Sequence, residues 1–177
     1  MELNEKDEKL HRGRDSLSQV LAKALTELYP NVKLTFGRAI DDGFYYDVDL
    51  DKQLTPDDFE TIEKKMKEII GKGEPFVKKV VSREEALKLF KNNPYKTEII
   101  NELPVDAEIS VYFTGDDFFD LCSGPHVESC KNLQNYAFKI HAVNGAYWRG
   151  SEKNKMLQRV YAYAFPDKKQ LADHIAM

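Results

Sequence analysis

One short segment of the chain gathers groups that can do chemistry: Asp120-Leu121-Cys122-Ser123-Gly124-Pro125-His126-Val127. A Gly-Pro turn separates a thiol from an imidazole, directly after a run that reads as a strand. Such a turn can aim both side chains into one cleft, where thiolate and imidazole bind zinc or move protons. Asp120 lies two residues before Cys122, so on a strand the two share a face. The plainer alternative is a buried structural cysteine beside a histidine in a surface loop.

A second cluster is Gly145-Ala146-Tyr147-Trp148-Arg149-Gly150, followed by Asn154-Lys155-Met156-Leu157-Gln158-Arg159. It holds the only tryptophan. Arg149, Lys153, Lys155 and Arg159 face one acid, Glu152. Aromatics interleaved with cations suit stacking on nucleotides and pairing with phosphates. The alternative is a solvated basic turn with Trp148 in the core.

Something must position these groups, and the bulk properties bound what it is. The chain has 177 residues, enough for one domain or two small ones, with 42% hydrophobic and 32% charged residues. That is the composition of a soluble globular protein. No apolar run approaches the ~18 residues of a membrane span. Met1 to Lys9 is charged and lacks the apolar centre of a secretory signal, so a cytoplasmic location is expected. Cys122 and Cys130, the only cysteines, make no disulfide framework. The net charge of −4 argues against a general nucleic-acid binder, DNA included, so any RNA contact must come from a local patch.

Leu17, Val20, Leu21, Ala24, Leu25 and Leu28 recur at helical spacing, which predicts a helix over Ser16 to Tyr29 capped by Asp15. Val32 to Phe36 and Phe44 to Leu50 alternate around Asp41-Asp42-Gly43, as a strand pair does. Thr55-Pro56 opens a helix with Phe59, Ile62, Met66 and Ile70 inward and Gly71 as its stop. Pro75 to Val81 reads as a strand, and Ser82 with Glu85 as a capping box for a short helix through Phe90. Ile109 to Phe113, Phe118 to Cys122, Phe138 to Val143 and Met156 to Phe165 read as strands. Asn144-Gly145 is a hairpin-type dipeptide, and Asp167 opens a last helix. Strands and helices do not alternate regularly. The expected class is therefore α+β, with a mostly antiparallel sheet and packed helices.

The strings IDDGFYYDVDL, DLCSGPHV and GAYWRG with NKMLQR together resemble threonyl-tRNA synthetases, over about Arg14 to Ile175. They match the editing-type second additional domain shared with alanyl-tRNA synthetases. The resemblance implies hydrolysis of serine wrongly esterified to the threonine tRNA. A site that must accept threonine rejects a side chain one methyl smaller only weakly, so a second, tighter site removes the smaller product. It places Lys96, Asp120, Cys122 and His126 in the catalytic cleft, with Tyr46 lining it. Lys96, Asp120 and His126 would polarise water and ester, and Cys122 would shape the cleft without acting as nucleophile.

The chain departs from that family at one place. The first helix there carries His-x-x-x-His, but here Asp15 and Gln19 stand at those positions. They remain one turn apart, opposite the leucine stripe. Asp15 can accept a hydrogen bond, ligate a metal or act as a base; Gln19 can orient a water or a ribose hydroxyl. The alternative is an N-cap and a solvated amide. We assign no role to His11, and structural or surface roles to His141 and His174. Zinc at Cys122 and His126 is not expected, because two further donors are missing and Gln19 is a poor substitute; no cofactor is expected. The expected partners are the acceptor arm of tRNA(Thr), through Arg149, Lys153, Lys155 and Arg159, and the rest of the synthetase, but no membrane. Residues 1–13 are expected as a flexible lead-in and 14–177 as the editing-type domain, with a division into two subdomains near 75–105 as an alternative. Aminoacylation and anticodon-binding domains are expected to lie outside this sequence. Two other readings stay open: a catalytically degenerate module that holds the tRNA acceptor arm, and an alanyl-type trans-editing deacylase.

Overall fold

A computed structural model describes residues 4–177. Its first element corrects the sequence reading. Helix α1 spans Glu5–Leu28, with Asn4 as N-cap accepting from the Asp7 N–H at 2.8 Å. Asp15 is therefore an interior position, and residues 5–13, expected as a lead-in, are the first turns of the helix. Gly13 lies inside α1, where glycine usually weakens a helix. Here it lets α1 lie against Tyr136, whose hydroxyl would sit 2.3 Å from a Cβ there. That close packing outweighs the ~1 kcal/mol by which an interior glycine disfavours a helix.

Strands β1 (Lys33–Ile40) and β2 (Gly43–Asp49) form the expected hairpin. Helix α2 (Phe59–Lys72) turns Ile62, Met66, Ile69 and Ile70 inward. It ends at Gly73 in the left-handed conformation (φ 66°), two residues beyond the expected stop. Strand β3 (Phe76–Val81) and helix α3 (Arg83–Leu89) follow, the latter capped by Ser82 Oγ accepting from the Glu85 N–H at 3.1 Å. Helix α4 (Pro94–Glu102) was not anticipated. Strands β4 (Ile109–Thr114), β5 (Phe118–Leu121), β6 (Ala137–Tyr147) and β7 (Met156–Phe165) lead to helix α5 (Lys168–Ile175).

The fold class is α+β as expected, with two antiparallel sheets rather than one. The first has the order β1-β2-β7-β6 and the second β3-β4-β5. Asn144-Gly145 is not a turn. Both residues lie inside β6, paired with Arg159 and Gln158, and the chain reverses only after Tyr147. Alternation carries the core: Val160, Ala162 and Ala164 of β7 are buried on one face, in the main core with α1.

Helix α1 connects the two sheets. Leu17, Val20, Leu21, Ala24 and Leu25 are fully buried in the main core with Phe44, Tyr46 and Val48 of β2. On its other side, Gln19 reaches Asp120 of β5, and Lys23 reaches the Thr114 carbonyl at 3.0 Å with Glu74 and Asp117. Val81, Ala86, Phe90, Ile100, Ile109 and Val111 form a smaller second core around α3 and α4, while Phe76, Tyr112 and Phe118 belong to the main one.

Candidate active site

The second sheet ends where the chemistry begins. Asp120 stands one residue before the end of β5, and the chain then turns through Gly124 at φ 73°, where a Cβ would meet the Tyr112 hydroxyl at 2.2 Å. This close passage sets His126 between Tyr112 and Phe76, with ring centroids 4.5 and 5.5 Å away. The turn brings thiol and imidazole together as expected: Cys122 Sγ lies 3.2 Å from His126 Nε2.

The tautomer follows from the partners of Ser16. Its hydroxyl donates to the Arg12 carbonyl at 2.9 Å, and its oxygen accepts from the Val127 N–H at 3.0 Å. The proton of Ser16 is thus spent, and the 3.1 Å contact to His126 Nδ1 requires Nδ1–H to donate. Nε2 is then the free base, facing the Cys122 thiol. Burial lowers the His126 pKa to about 4, and burial pushes the Cys122 thiol up to about 11. Both groups are neutral at pH 7, which is the opposite of the ion pair that activates a nucleophilic cysteine.

Beside this dyad sits a closed polar network. Asp120 is 1% exposed. Its Oδ2 accepts from Tyr46 Oη at 2.6 Å and Gln19 Nε2 at 3.1 Å; its Oδ1 accepts from the Leu121 N–H at 2.8 Å and pairs with Lys96 Nζ at 2.8 Å. Four donors fill the carboxylate's acceptor positions. Lys96 is equally engaged, donating also to the Thr35 carbonyl at 2.8 Å and contacting Tyr46 Oη at 3.2 Å. Burial, and next the Asp120 charge, hold the Tyr46 phenol well above its ordinary pKa. Helix α4 delivers Lys96. Its start is fixed by Asn93, which accepts from the Tyr95 and Lys96 N–H groups, with Pro94 at the first position. Asn-Pro is a start signal that could have revealed this helix.

Asp15 and Gln19 both line the cleft, as their helical spacing predicted. Asp15 Oδ1 accepts from the Ala39 N–H at 2.7 Å, and Oδ2 lies 3.4 Å from His11 Nε2. Gln19 is 5% exposed, and its Oε1 has no hydrogen-bond partner. These groups, with Ser18, Thr35, Gly37, Arg38, Ile99, Leu103 and Ser110, line an open cleft of about 370 Å³ between α1, β1, α4 and the end of β5. Among the described residues, no three His, Cys, Asp or Glu side chains converge to hold a metal. Sequence reasoning missed Ser16. It acts on a histidine 110 positions away, and no local pattern marks it.

The basic residues expected to meet the tRNA do not line this cleft, and most are already paired within the chain. Arg159 forms a two-pronged pair with Asp47 at 2.7 and 2.9 Å and lies over Tyr45. Lys155 pairs with Asp49 at 3.1 Å. Arg149 pairs with Glu98 and Glu102 of α4. Trp148 is not in the core: its indole N–H donates to Glu98, and its ring meets the edge of Tyr95. Lys153 is exposed. His141 stacks on Tyr163 at 3.8 Å and His174 meets Asp42 at 3.3 Å, which are the structural roles expected.

Comparison with known proteins bears on the same residues. Residues 109–161, which include Asp120, Cys122, His126 and the basic tip, match the family described as threonyl and alanyl tRNA synthetase second additional domain. The chain is 46% identical over 168 residues to a threonine–tRNA ligase of Borrelia hermsii, covering 95% of this chain and 29% of the relative. The chain belongs to the threonyl/alanyl-tRNA synthetase second additional domain family. A threonine–tRNA ligase of Rubrobacter xylanophilus is 48% identical over 168 residues, covering 95% of this chain and 26% of the relative. One of Borrelia turicatae is 44% identical over 173 residues, covering 98% and 30%. The second additional domain described here thus spans less than a third of the relatives it matches. Among the described residues, no helix is long and apolar enough to cross a membrane.

Proposed function

We propose that this domain hydrolyses the ester joining serine to the threonine tRNA, as part of a cytoplasmic threonine–tRNA ligase and at the tRNA's acceptor arm. The observation that carries this reading is His126, neutral and fixed by Ser16 so that a basic Nε2 faces Cys122 at the wall of the cleft. Water adds to the ester carbonyl as Nε2 takes its proton. The carbon–oxygen ester bond then breaks, and the proton passes to the departing ribose oxygen. His126 is a weak base, but the ester is already labile, so orientation and charge supply much of what is needed. Lys96 contributes by holding Asp120 and Tyr46 in place, since its protons are engaged and Asp120 neutralises its charge. Asp120 fixes Lys96, Tyr46 and Gln19 rather than exchanging a proton. Cys122 shapes the cleft, and its high thiol pKa argues against a nucleophilic role. No resident metal is required: zinc would need two donors beyond Cys122 and His126.

The saturation of Lys96 and Asp120 favours a second reading, a non-catalytic module that holds the acceptor arm. A deacylation assay on Ser-tRNA(Thr) beside Thr-tRNA(Thr) separates the two. The expected result is slow hydrolysis selective for the seryl ester, strongly reduced by Lys96→Ala and by His126→Ala. Decay of Ser-tRNA(Thr) at the buffer rate, with activity appearing only in the Asp15→His/Gln19→His variant, would establish the second reading instead.

A further inference from the structure

We propose that Gln19 Oε1 is the acceptor that binds the α-ammonium of the aminoacyl group, which rests on the reading of the cleft as an aminoacyl-ester site. Gln19 is 5% exposed and lines the cleft, and among the described residues its Oε1 is the buried side-chain atom left without a hydrogen bond. Native structures seldom leave such an atom unpaired unless it has a use.

The amide cannot turn away from this role. Its Nε2 donates to Asp120 Oδ2 at 3.1 Å, and a flip would set the amide oxygen against a carboxylate. Nor can a neighbour supply the missing proton. Tyr46 Oη donates to Asp120. Lys96 spends its protons on Asp120, Thr35 and Tyr46. The Ser18 hydroxyl donates to the Asp15 carbonyl at 2.6 Å. Each of these donors is committed within the network, which leaves Gln19 Oε1 open to a donor brought by a ligand.

The surroundings favour a cationic donor, because Asp15, Glu108 and Asp120 line the cleft against Arg38 and Lys96. Lys96 is neutralised by Asp120 at 2.8 Å. The Asp15 carboxylate stands one turn before Gln19 on the same helix and also lines the cleft. An amide oxygen and a carboxylate one turn apart form an edge suited to an ammonium group, which offers three N–H donors and no acceptor.

The test uses the 177-residue chain and two non-hydrolysable probes, measured by calorimetry. One is the seryl amide of 3′-amino-3′-deoxyadenosine; the other is its counterpart lacking the α-amino group. The expected result is tighter binding of the seryl amide by roughly 10- to 100-fold, shrinking to about threefold or less in Gln19→Met. Equal affinity of the wild-type chain for both probes overturns the inference and leaves the proposed hydrolysis standing. A preference that survives Gln19→Met also overturns it. Binding of neither probe removes the aminoacyl-ester reading and this inference together. The wild-type comparison stands whether or not Gln19→Met folds.

Discussion

Replacing Lys96 with methionine keeps most of the side-chain volume and deletes the charge. In the wild-type chain the Lys96–Asp120 pair is 2.8 Å long, with side chains 3% and 1% exposed. The substitution leaves Asp120 ionised, out of reach of water and without its counter-ion, and removes a donor from the Thr35 carbonyl. Breaking a buried pair from one side typically destabilises a protein by ~3–5 kcal/mol. That is a large part of a domain's total stability of ~5–15 kcal/mol. For a domain of this size it corresponds to a fall in Tm of roughly 6–20 °C. Asp120→Asn in the same background removes the stranded charge, so Lys96→Met/Asp120→Asn should be more stable than Lys96→Met alone, by ~1 kcal/mol or more. Urea unfolding of the four proteins of this cycle measures both quantities. A Lys96→Met cost below ~1 kcal/mol, or a double variant less stable than the single one, would refute the view that Lys96 acts as a buried, fully engaged charge.

The low pKa of His126, about 4, gives a pH signature. The unfolded chain binds a proton near pH 6.5 that the folded one refuses until about pH 4, so stability from this group is present above pH 6.5 and lost as pH falls toward 4. The unfolding free energy measured in urea should drop across that window by ~1–3 kcal/mol, and His126→Gln should flatten this part of the curve. Gly124→Ala should destabilise the fold by ~1–3 kcal/mol because of its positive φ, and should displace His126 and abolish hydrolysis; wild-type stability in urea would contradict this. Arg149→Ala/Lys155→Ala should weaken tRNA binding and lower the salt slope by about one to two phosphates' worth; an unchanged slope would mean that Glu98, Glu102 and Asp49 keep both cations to themselves.

Much of this arrangement could be read from the sequence, and the losses have identifiable causes. Alternation placed β1, β2 and β4, the return after a turn placed β5, and β-forming composition placed β7. The turn after β5 made a Cys122–His126 pair one of two readings, since a Gly-Pro turn can aim both side chains into one cleft. Two local rules misled. Gly13 and Asn144-Gly145 carry breaker signals, yet close packing on Tyr136 and pairing with β7 hold them in regular structure. What no local rule could supply was partnership at a distance. Ser16 with His126, Gln19 with Asp120 and Lys96 with Thr35 are separated by 110, 101 and 61 positions. The charge cluster at the β6–β7 turn was legible as a cluster, but Glu98, Glu102, Asp47 and Asp49, which pair with it, come from elsewhere in the chain.

The position of α1 has a consequence for how the domain comes into being. Its buried face is completed by strands that the ribosome makes much later. Arg14 donates to the carbonyl of Ala164, 150 positions downstream, and Leu17, Val20 and Leu21 share a core with Val160 and Ala162. At ~5–20 residues per second, α1 waits roughly 7–30 s for β7. During that interval its leucine stripe is exposed on a nascent chain. The segment best placed to fold early by local contacts is instead the hairpin of β1 and β2, and the domain closes only when β7 enters between β2 and β6. Cotranslational chaperone capture should therefore be concentrated on Leu17–Leu25 and end abruptly with the synthesis of β7.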